Sequence, residues 1–195
     1  MRVLVVLSHP AANSLCRFLA ETATAACRAH GFEVRVLDLD ADGFDPRLSA
    51  AERAAYYQPR YRSQVPDLLD DLVWAEALVL IFPTWWFGFP AALKGWFDRV
   101  FAPGTAYDHG EGLKAIRPRL FGLRRTLAVT TLGSPWWVDR FVLRRPVRRI
   151  LRAAILGTCA PNCRLQFLSL YDAEKVRPKA VEAFARRITD VISAW

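Results

Sequence analysis

Residues 77–101 read ALVLIFPTWWFGFPAALKGWFDRVF. The first part, residues 77–82, is a continuous apolar run of strand length and predicts a buried strand. A turn with two prolines and a glycine follows, and helical spacing begins at the second proline. The turn carries Trp85, Trp86 and Phe87, and surface loops seldom hold three large aromatic side chains without a flat partner. The stretch therefore predicts a strand, an aromatic turn and a helix around a planar ligand with an anionic group nearby.

The rest of the chain shows the same alternation of apolar runs and helical patterns. Strands are predicted at residues 3–7, 33–39, 77–82, 126–131 and 164–170. Helices are predicted at residues 14–29, from 49, from 66, and at 91–101, 138–154 and 174–195. Short, continuous apolar strands between helices are typical of a parallel sheet that is covered on both faces. The sequence thus predicts an α/β flavodoxin-like three-layer sandwich, with a five-stranded parallel sheet of order 2-1-3-4-5, in a single domain over residues 1–195.

Individual residues refine the helix boundaries. Asn13 is the predicted N-cap of the first helix, and Gly31 is its predicted stop. Ser49 and Glu52 have the spacing of a capping box, which predicts a short helix in an otherwise irregular segment. Pro146 must start, kink or break the helix that is predicted at residues 138–154.

A sheet of this order binds ligands at the carboxyl ends of strands 1 and 3, where the strand order reverses. The two loops at that position are residues 8–14 and 83–90. The first loop has no glycine-rich phosphate motif, but it places two hydroxyls, an imidazole and an amide before a helix N-terminus, which attracts a phosphate. An ordinary capped helix explains that loop equally well. The aromatic loop is interpreted as a ligand site rather than as a plug for a partner subunit, because it falls at the switch point.

The charge of the chain favours anionic partners. The 195 residues carry a net charge of +8, and the pI is about 9.8, which is compatible with nucleic acid, an anionic membrane or phosphorylated cofactors. Six arginines lie between residues 140 and 152, and those at 140, 144, 148 and 152 are spaced to share one helix face. A solvated basic face is favoured over an NADPH 2′-phosphate site, nucleic acid or a membrane. No nucleic-acid motif accompanies the run.

The cysteines and the first apolar run indicate the cellular compartment. Cys16, Cys27, Cys159 and Cys163 form no Cys-x-x-Cys pair, and the three histidines are scattered. No metal site is therefore expected, and the cysteines are expected to be free, mostly buried thiols in a reducing compartment. The first apolar run is too short for a membrane span and is not followed by a signal-peptide cleavage pattern. The sequence thus predicts a cytoplasmic protein.

Residues 82–107 resemble the signature of the NAD(P)H:quinone oxidoreductase family. The family pattern is Phe-Pro-x-x-Trp-Phe-Gly-x-Pro-Ala-x-Leu-Lys-Gly-Trp-Phe-Asp-Arg-Val-Phe followed by Gly-x-Ala-Tyr, and it is present from Phe82 to Tyr107. Residues 8–14 are similar to the family's first flavin loop, and residues 130–134 resemble its third. The resemblance covers most of residues 1–135. The family includes the modulator-of-drug-activity quinone reductases and the ancillary reductases of potassium efflux systems.

The resemblance implies a bound flavin, with FAD favoured over FMN, and NAD(P)H as the electron donor. Hydride would pass from the nicotinamide to the flavin and then to a quinone or a similar acceptor. Family members are commonly homodimers, and neither a nucleic-acid partner nor more than peripheral membrane association is implied. The resemblance assigns His9, Asn13, Ser14 and Leu15 to the phosphate and ribityl side of the flavin, Pro83, Thr84, Trp85, Trp86 and Phe87 to its ring, and Thr130, Thr131 and Gly133 to the other ring edge.

Two departures from the family pattern concern the third loop. Leu132 replaces the first glycine of Thr-Thr-Gly-Gly, and no histidine follows where some members use a Tyr and a His to stabilise the reduced flavin. Arg140 is a candidate for that role by its charge, so Trp86 and Arg140 are the expected catalytic residues. Two other functions stay open. One is a regulatory flavoprotein that docks on a membrane transporter, and the other is a non-enzymatic electron carrier, which the basic charge disfavours.

Overall fold

The computed structural model describes residues 1–58, 61–110 and 116–195. Its strands are β1 (Arg2–Leu7), β2 (Glu33–Asp38), β3 (Ala77–Pro83), β4 (Tyr107–Asp108), β5 (Arg117–Pro118), β6 (Arg125–Thr131) and β7 (Arg164–Leu170). Five of them form a parallel sheet in the spatial order β2-β1-β3-β6-β7, while β4 and β5 pair separately as a short antiparallel hairpin. The predicted order 2-1-3-4-5 of the central sheet is therefore confirmed.

Helices cover both faces of this sheet. They are α1 (Leu15–Ala29), α2 (Ala50–Ala55), α3 (Pro66–Trp74), α4 (Ala91–Val100), α5 (Pro146–Arg149), α6 (Gly157–Cys159) and α7 (Pro178–Ser193). π-helical turns cover Val138–Val142 and Ile150–Leu156, and a 3-10 turn covers Ala173–Lys175. The α/β sandwich that the sequence predicts is confirmed.

Alternate residues of the central strand β3 face two separate apolar layers. Leu78, Leu80 and Phe82 pack with α4 in one layer, and Val79 and Ile81 pack with α1 and α7 in the other. All residues of β3 are buried. A strand that is covered on both faces needs apolar residues at successive positions, which explains why this run is continuous rather than alternating.

The cap of α1 differs from the prediction by one residue. Ser14 is the N-cap, and its Oγ accepts a hydrogen bond from the Arg17 N–H at 3.2 Å. Asn13 lies one residue too early to reach that group and is exposed, so the predicted Asn13 cap is wrong. Gly31 follows the helix with a φ of 70°, which confirms it as the stop. The capping box of Ser49 and Glu52 is also confirmed.

The helix predicted at residues 138–154 is broken before Pro146. Arg144 and Arg145 have φ values of 56° and 53°, so the chain leaves the helical path and starts again at α5. The four arginines spaced four apart therefore do not share one face, and that prediction is wrong. Arg148 and Arg152 line one cavity together with residue 164, whereas Arg140 lines another cavity.

A buried ion pair holds the irregular segment between β2 and α3 against α4. The Arg99 Nη2 lies 3.0 Å from the Glu52 Oε1, and both side chains are almost fully buried. The Arg99 Nη1 also donates to the Asp45 carbonyl oxygen at 2.5 Å. Arg99 thus pairs with another element. The Asp98 carboxylate instead accepts from Lys94 one turn earlier in α4.

The four cysteines are free thiols, as predicted. Burial raises the pKa of Cys16, of Cys27 and of Cys159 to about 11, so these thiols stay protonated and unreactive at neutral pH. Among the residues described here, no helix is both long and apolar enough to cross a membrane.

A close approach at Gly95 gives a test of this packing. A Cβ on Gly95 would overlap the carbonyl oxygen and Cβ of Pro46 and lie 2.5 Å from its Cα. We expect Gly95→Ala to lower the free energy of unfolding by about 1–3 kcal/mol, because a proline backbone cannot rotate out of the way. Helix propensity alone would act in the opposite direction by about 1 kcal/mol. Urea unfolding followed by circular dichroism measures the change.

The matched control is Gly122→Ala, because an added Cβ there meets open space. We expect that variant to stay within about 0.5 kcal/mol of the parent. If Gly95→Ala were as stable as the parent, the segment around Pro46 would not be held against α4.

Candidate functional site

Three loops meet at the carboxyl edge of the sheet because backbone hydrogen bonds between neighbouring strands continue past the strand ends. The Ser8 N–H donates to the Ile81 carbonyl oxygen at 3.0 Å, which joins the ends of β1 and β3. The Thr84 N–H donates to the Thr131 carbonyl oxygen at 2.8 Å, which joins the ends of β3 and β6. The loops after β1, β3 and β6 are therefore adjacent. The structure brings together the three segments in which the sequence places the site.

The aromatic loop after β3 forms a tight, strained turn. The Gly88 N–H donates to the Trp85 carbonyl oxygen at 2.9 Å, and Trp86 and Phe87 between them have φ values of 49° and 54°. Positive φ at both central residues is characteristic of a type I′ turn, which normally uses Asn-Gly or Gly-Gly. A left-handed conformation costs a residue with a side chain about 1–2 kcal/mol. Trp86 is fully exposed (101%), so packing of its side chain against the described residues does not offset that cost.

Two backbone donors of this turn remain available. The N–H groups of Trp86 and Phe87 have no hydrogen-bond partner among the residues that the structure describes. The N–H of Thr84, by contrast, is engaged by β6, and its hydroxyl lies 2.6 Å from the Thr130 hydroxyl. The Thr84 N–H is thus used by the sheet and is not left for a ligand.

The first loop is held by hydrogen bonds of its own. The His9 Nδ1 accepts from the Ala11 N–H at 3.0 Å, and the Ser14 Oγ is engaged as the cap of α1. The His9 ring lies 6.1 Å from the Trp85 ring, centroid to centroid, which links this loop to the aromatic turn. Leu15 and Cys16 begin α1, and their N–H groups are among those that a helix leaves unpaired. An anion at this end of α1 would meet those donors and the positive end of the helix dipole.

The third loop contains a buried hydroxyl without a partner. Thr131 is fixed through its Oγ1, which lies 3.6 Å from the Cys16 Sγ of α1. Leu132, which departs from the family pattern, is buried, and its N–H donates to the Leu170 carbonyl oxygen at 2.9 Å. The Leu132 side chain therefore packs in the interior, while its backbone continues the ladder to β7 as a glycine at this position also could. Gly133 is exposed, and the Ser134 Oγ is buried with no hydrogen-bond partner among the described residues.

Two tryptophans and an arginine follow the third loop. Trp136 and Trp137 are about half exposed, at 47% and 50%, so neither is a core residue. The guanidinium carbon of Arg140 lies 5.7 Å from the centre of the Trp136 ring. The neighbouring Asp139 is buried and accepts a hydrogen bond from the Tyr171 hydroxyl at 2.8 Å. Sequence reasoning missed that last pair, because no local pattern relates two residues on different elements.

The comparisons with known proteins agree with this architecture. The Flavodoxin_2 family, described as having a flavodoxin-like fold, matches residues 1–190, so the chain belongs to this family. A NAD(P)H dehydrogenase (quinone) 1 from Cavia porcellus is 34% identical over 150 residues, which make up 68% of this chain and 54% of that protein. The chain spans less than two thirds of the length of the curated relatives it matches.

Solved structures share the fold over the whole chain. Smu.1420 from Streptococcus mutans UA159 matches with a TM-score of 0.87 and 26% identity, and the match covers 100% of both chains. An FMN-dependent NADH-azoreductase from Bacillus anthracis, solved in complex with FMN, matches with a TM-score of 0.80 and 14% identity, over 100% of this chain and 99% of that one. At such low identity the second match shows the fold alone.

The strain in the aromatic turn can be measured. We expect Trp86→Gly to raise the free energy of unfolding by about 0.5–1 kcal/mol. Glycine removes a left-handed penalty of about 1–2 kcal/mol. Its larger unfolded-state entropy lowers the free energy of unfolding by about 0.5–1 kcal/mol, which offsets part of that gain. Chemical unfolding of the parent and of the variant measures the difference.

Trp86→Ala is the control, because alanine keeps a Cβ at the same positive φ and removes the same exposed ring. Its stability is expected to stay within about 0.5 kcal/mol of the parent. A loss of stability in Trp86→Gly would contradict the idea that this turn is strained.

Proposed function

We propose that this chain is a flavin-dependent NAD(P)H oxidoreductase that reduces quinones or similar acceptors, and that residues 1–195 form one flavin-binding domain. Its family and the name of its mammalian relative support this activity. The observation that carries the proposal is the strained aromatic turn at the switch point of the sheet. There, Trp86 and Phe87 are held at positive φ, with an exposed indole and two available N–H donors. Backbone strain of this kind is concentrated at functional sites.

The residues of the site fit a flavin in three respects. The exposed rings of Trp85 and Trp86 offer flat apolar surface to an aromatic ring system. The N–H groups of Trp86 and Phe87 can donate to acceptors on the ring edge. The Ser134 hydroxyl, buried without a partner, can gain a hydrogen bond when a polar ligand lies at the third loop.

Each predicted contact residue then has a physical role. Leu15 begins α1, where unpaired amides attract the phosphate, and His9, Asn13 and Ser14 belong to the loop that leads into it. Pro83, Thr84, Thr130 and Thr131 act mainly as supports, because their hydrogen bonds and strand pairing fix the height of the aromatic turn above the sheet. Gly133 lets the third loop pass close to the Glu174 side chain, whose Oε1 would lie 3.1 Å from an added Cβ. When bound, the flavin supplies the redox chemistry that no side chain of the protein can provide.

The finer identity of the flavin and the assembly belong to the same proposal. The resemblance in residues 82–107 favours FAD, whereas the azoreductase of the same fold holds FMN, so we propose FMN as the first flavin to test and FAD as the second. An exposed apolar surface formed by Trp136, Trp137, Phe141 and Val142 supports a homodimer. A cytoplasmic location suits the buried free thiols. Docking on a transporter is not favoured, because the chain turns left-handed at Arg144 and Arg140 lines a different cavity from Arg148 and Arg152.

Flavin loading followed by turnover tests the proposal. The purified protein is incubated with FMN or FAD, desalted, and mixed with NADPH or NADH and a soluble benzoquinone. We expect flavin absorbance to survive desalting and the nicotinamide absorbance to fall when the quinone is present. Trp86→Gly is expected to retain less flavin, because it removes a stacking surface while the fold is kept. A protein that retains neither flavin would overturn the proposal, and so would one that binds flavin but oxidises neither nicotinamide.

Arg140 is proposed to stabilise negative charge on the reduced ring. We expect Arg140→Ala to slow flavin reduction by NAD(P)H about tenfold, which is less than the roughly 10²–10³-fold loss for a preorganised buried donor, since Arg140 is exposed. Stopped-flow absorbance measures this rate. Arg149→Ala is the control, because it removes the same charge from an exposed position on α5. A parental rate in Arg140→Ala would exclude the catalytic role.

A further inference from the structure

We propose that a second pocket at the carboxyl edge of the sheet binds the 2′-phosphate of the electron donor, so that the enzyme prefers NADPH to NADH. This inference rests on the proposed function, since it concerns the donor of that reaction. The pocket has a volume of about 310 Å³, and its polar lining consists of Arg140, Arg145, Arg187, Trp136, Ser169 and Tyr171. Arg140 already has a proposed role toward the flavin, so Arg145 and Arg187 are the phosphate ligands of this proposal.

The three arginines come from three separate elements. Arg140 lies in the π-helical turn after the third loop, Arg145 in the left-handed turn before α5, and Arg187 on α7. A basic face that merely keeps a helix in solution would come from one helix. Here the fold brings Arg187 of α7 to the same pocket as Arg140 and Arg145, from which it is distant in the sequence. Their convergence on one pocket calls for an explanation other than helix solvation.

The positive charge of this pocket is not balanced by ion pairs. Among the described residues, no carboxylate lies within salt-bridge distance of these three guanidinium groups. The buried Asp139 is bound instead by the Tyr171 hydroxyl. Like charges repel at short range, so a cluster of this kind is stabilised by an anion. Guanidinium groups bind phosphate oxygens in pairs of parallel hydrogen bonds.

Backbone strain fixes the position of Arg145. Arg144 and Arg145 both have positive φ, which is uncommon for residues with a side chain. The Arg145 N–H donates to the Asp139 carbonyl oxygen at 2.7 Å, and Pro146 then starts α5. These two constraints hold the strained turn in place. Arg145 is thus carried by a rigid turn rather than by a mobile loop, which lowers the entropic cost of binding a ligand.

The strand register places this pocket close to the proposed flavin site. Ser169 of β7 pairs with Thr130 of β6, and the Thr130 hydroxyl contacts Thr84 at the base of the aromatic turn. Neighbouring strands are about 4.8 Å apart, so two strand spacings, about 10 Å, separate Ser169 from the strand that carries the turn. A nicotinamide dinucleotide whose nicotinamide lies on the flavin is long enough for its adenosine end to cross that distance.

The lining matches the phosphorylated adenosine end better than other anions. NADPH differs from NADH only in a 2′-phosphate, which arginines recognise in other dinucleotide sites. The half-exposed Trp136 ring offers a flat surface to the adenine, and the Ser169 hydroxyl adds a polar group, while the Tyr171 hydroxyl is already bound to Asp139. The volume lies at the lower end of the range for ligand pockets, about 300–1,000 Å³, which suits one end of the donor rather than the whole molecule.

Two measurements distinguish phosphate binding in the pocket from the rate of the redox reaction. Calorimetry measures the binding of adenosine 2′,5′-bisphosphate and of 5′-AMP to the flavin-treated protein. Steady-state kinetics measure KM and kcat for NADPH and for NADH. The variants are Arg145→Ala, Arg187→Ala and the double variant, and each is checked for unchanged thermal stability. The control is the double variant Arg148→Ala/Arg152→Ala, which removes the same charge from the cavity that Arg148 and Arg152 line.

We expect the parent to bind the bisphosphate about tenfold or more tightly than 5′-AMP, and the Arg145→Ala/Arg187→Ala variant to lose that difference. The KM for NADPH should rise by at least about tenfold in this variant, while the KM for NADH changes less than about twofold and kcat is kept. The control variant should behave like the parent, because its charges lie elsewhere.

Equal binding of bisphosphate and 5′-AMP by the parent would overturn the proposal. The same holds if the control variant and the Arg145→Ala/Arg187→Ala variant raise the KM for NADPH equally, since the effect would then be general attraction by positive charge. If the parent oxidises neither nicotinamide, the proposed function fails, and calorimetry alone then decides whether the pocket selects a 2′-phosphate.

Discussion

The backbone of β3 must be hydrogen-bonded on both sides, because all of its residues are buried in the middle of the sheet. β1 supplies one side and β6 the other, and the ladder to β6 runs on as far as Thr84. The aromatic turn begins directly after this last bond. The sheet therefore sets the position of Trp86 and Phe87 relative to the neighbouring loops. The sheet thus determines where the turn lies, and contacts within the turn determine only its strained conformation.

Sequence patterns could predict the sheet and the site loops because both depend on local or repeated features. The continuous apolar run of β3 and the alternation of strands with helices predict a parallel sheet, and the switch point then follows from strand order. The helix at residues 138–154 was predicted wrongly because spacing alone does not show where a chain turns left-handed before a proline. Contacts such as Tyr171 with Asp139, or Arg99 with Glu52, depend on the tertiary fold, and no local signal points to them.

Backbone strain in this chain is concentrated at one edge of the sheet. In the described part of the chain, five residues other than glycine have positive φ, namely Trp86, Phe87, Arg144, Arg145 and Asp172. Trp86 and Phe87 follow β3, Asp172 follows β7, and Arg145 lines the pocket beside the end of β7. Strained residues persist where the surrounding structure over-determines them. The sheet and its buried layers supply that constraint here, and the strained residues lie at the exposed edge where the proposed site is located.

The break before Pro146 also decides how the positive charge is distributed. In a continuous helix, Arg140, Arg144, Arg148 and Arg152 would form one row along a single face. The left-handed pair of Arg144 and Arg145 instead separates Arg140 from α5. Arg148 and Arg152 then lie in a cavity with Arg164, the first residue of β7 and thus at the amino edge of the sheet, whereas Arg140 and Arg145 lie near the carboxyl edge with Arg187. These arginines therefore form separate basic clusters rather than one row, and the second cluster lies beside the loops of the proposed flavin site.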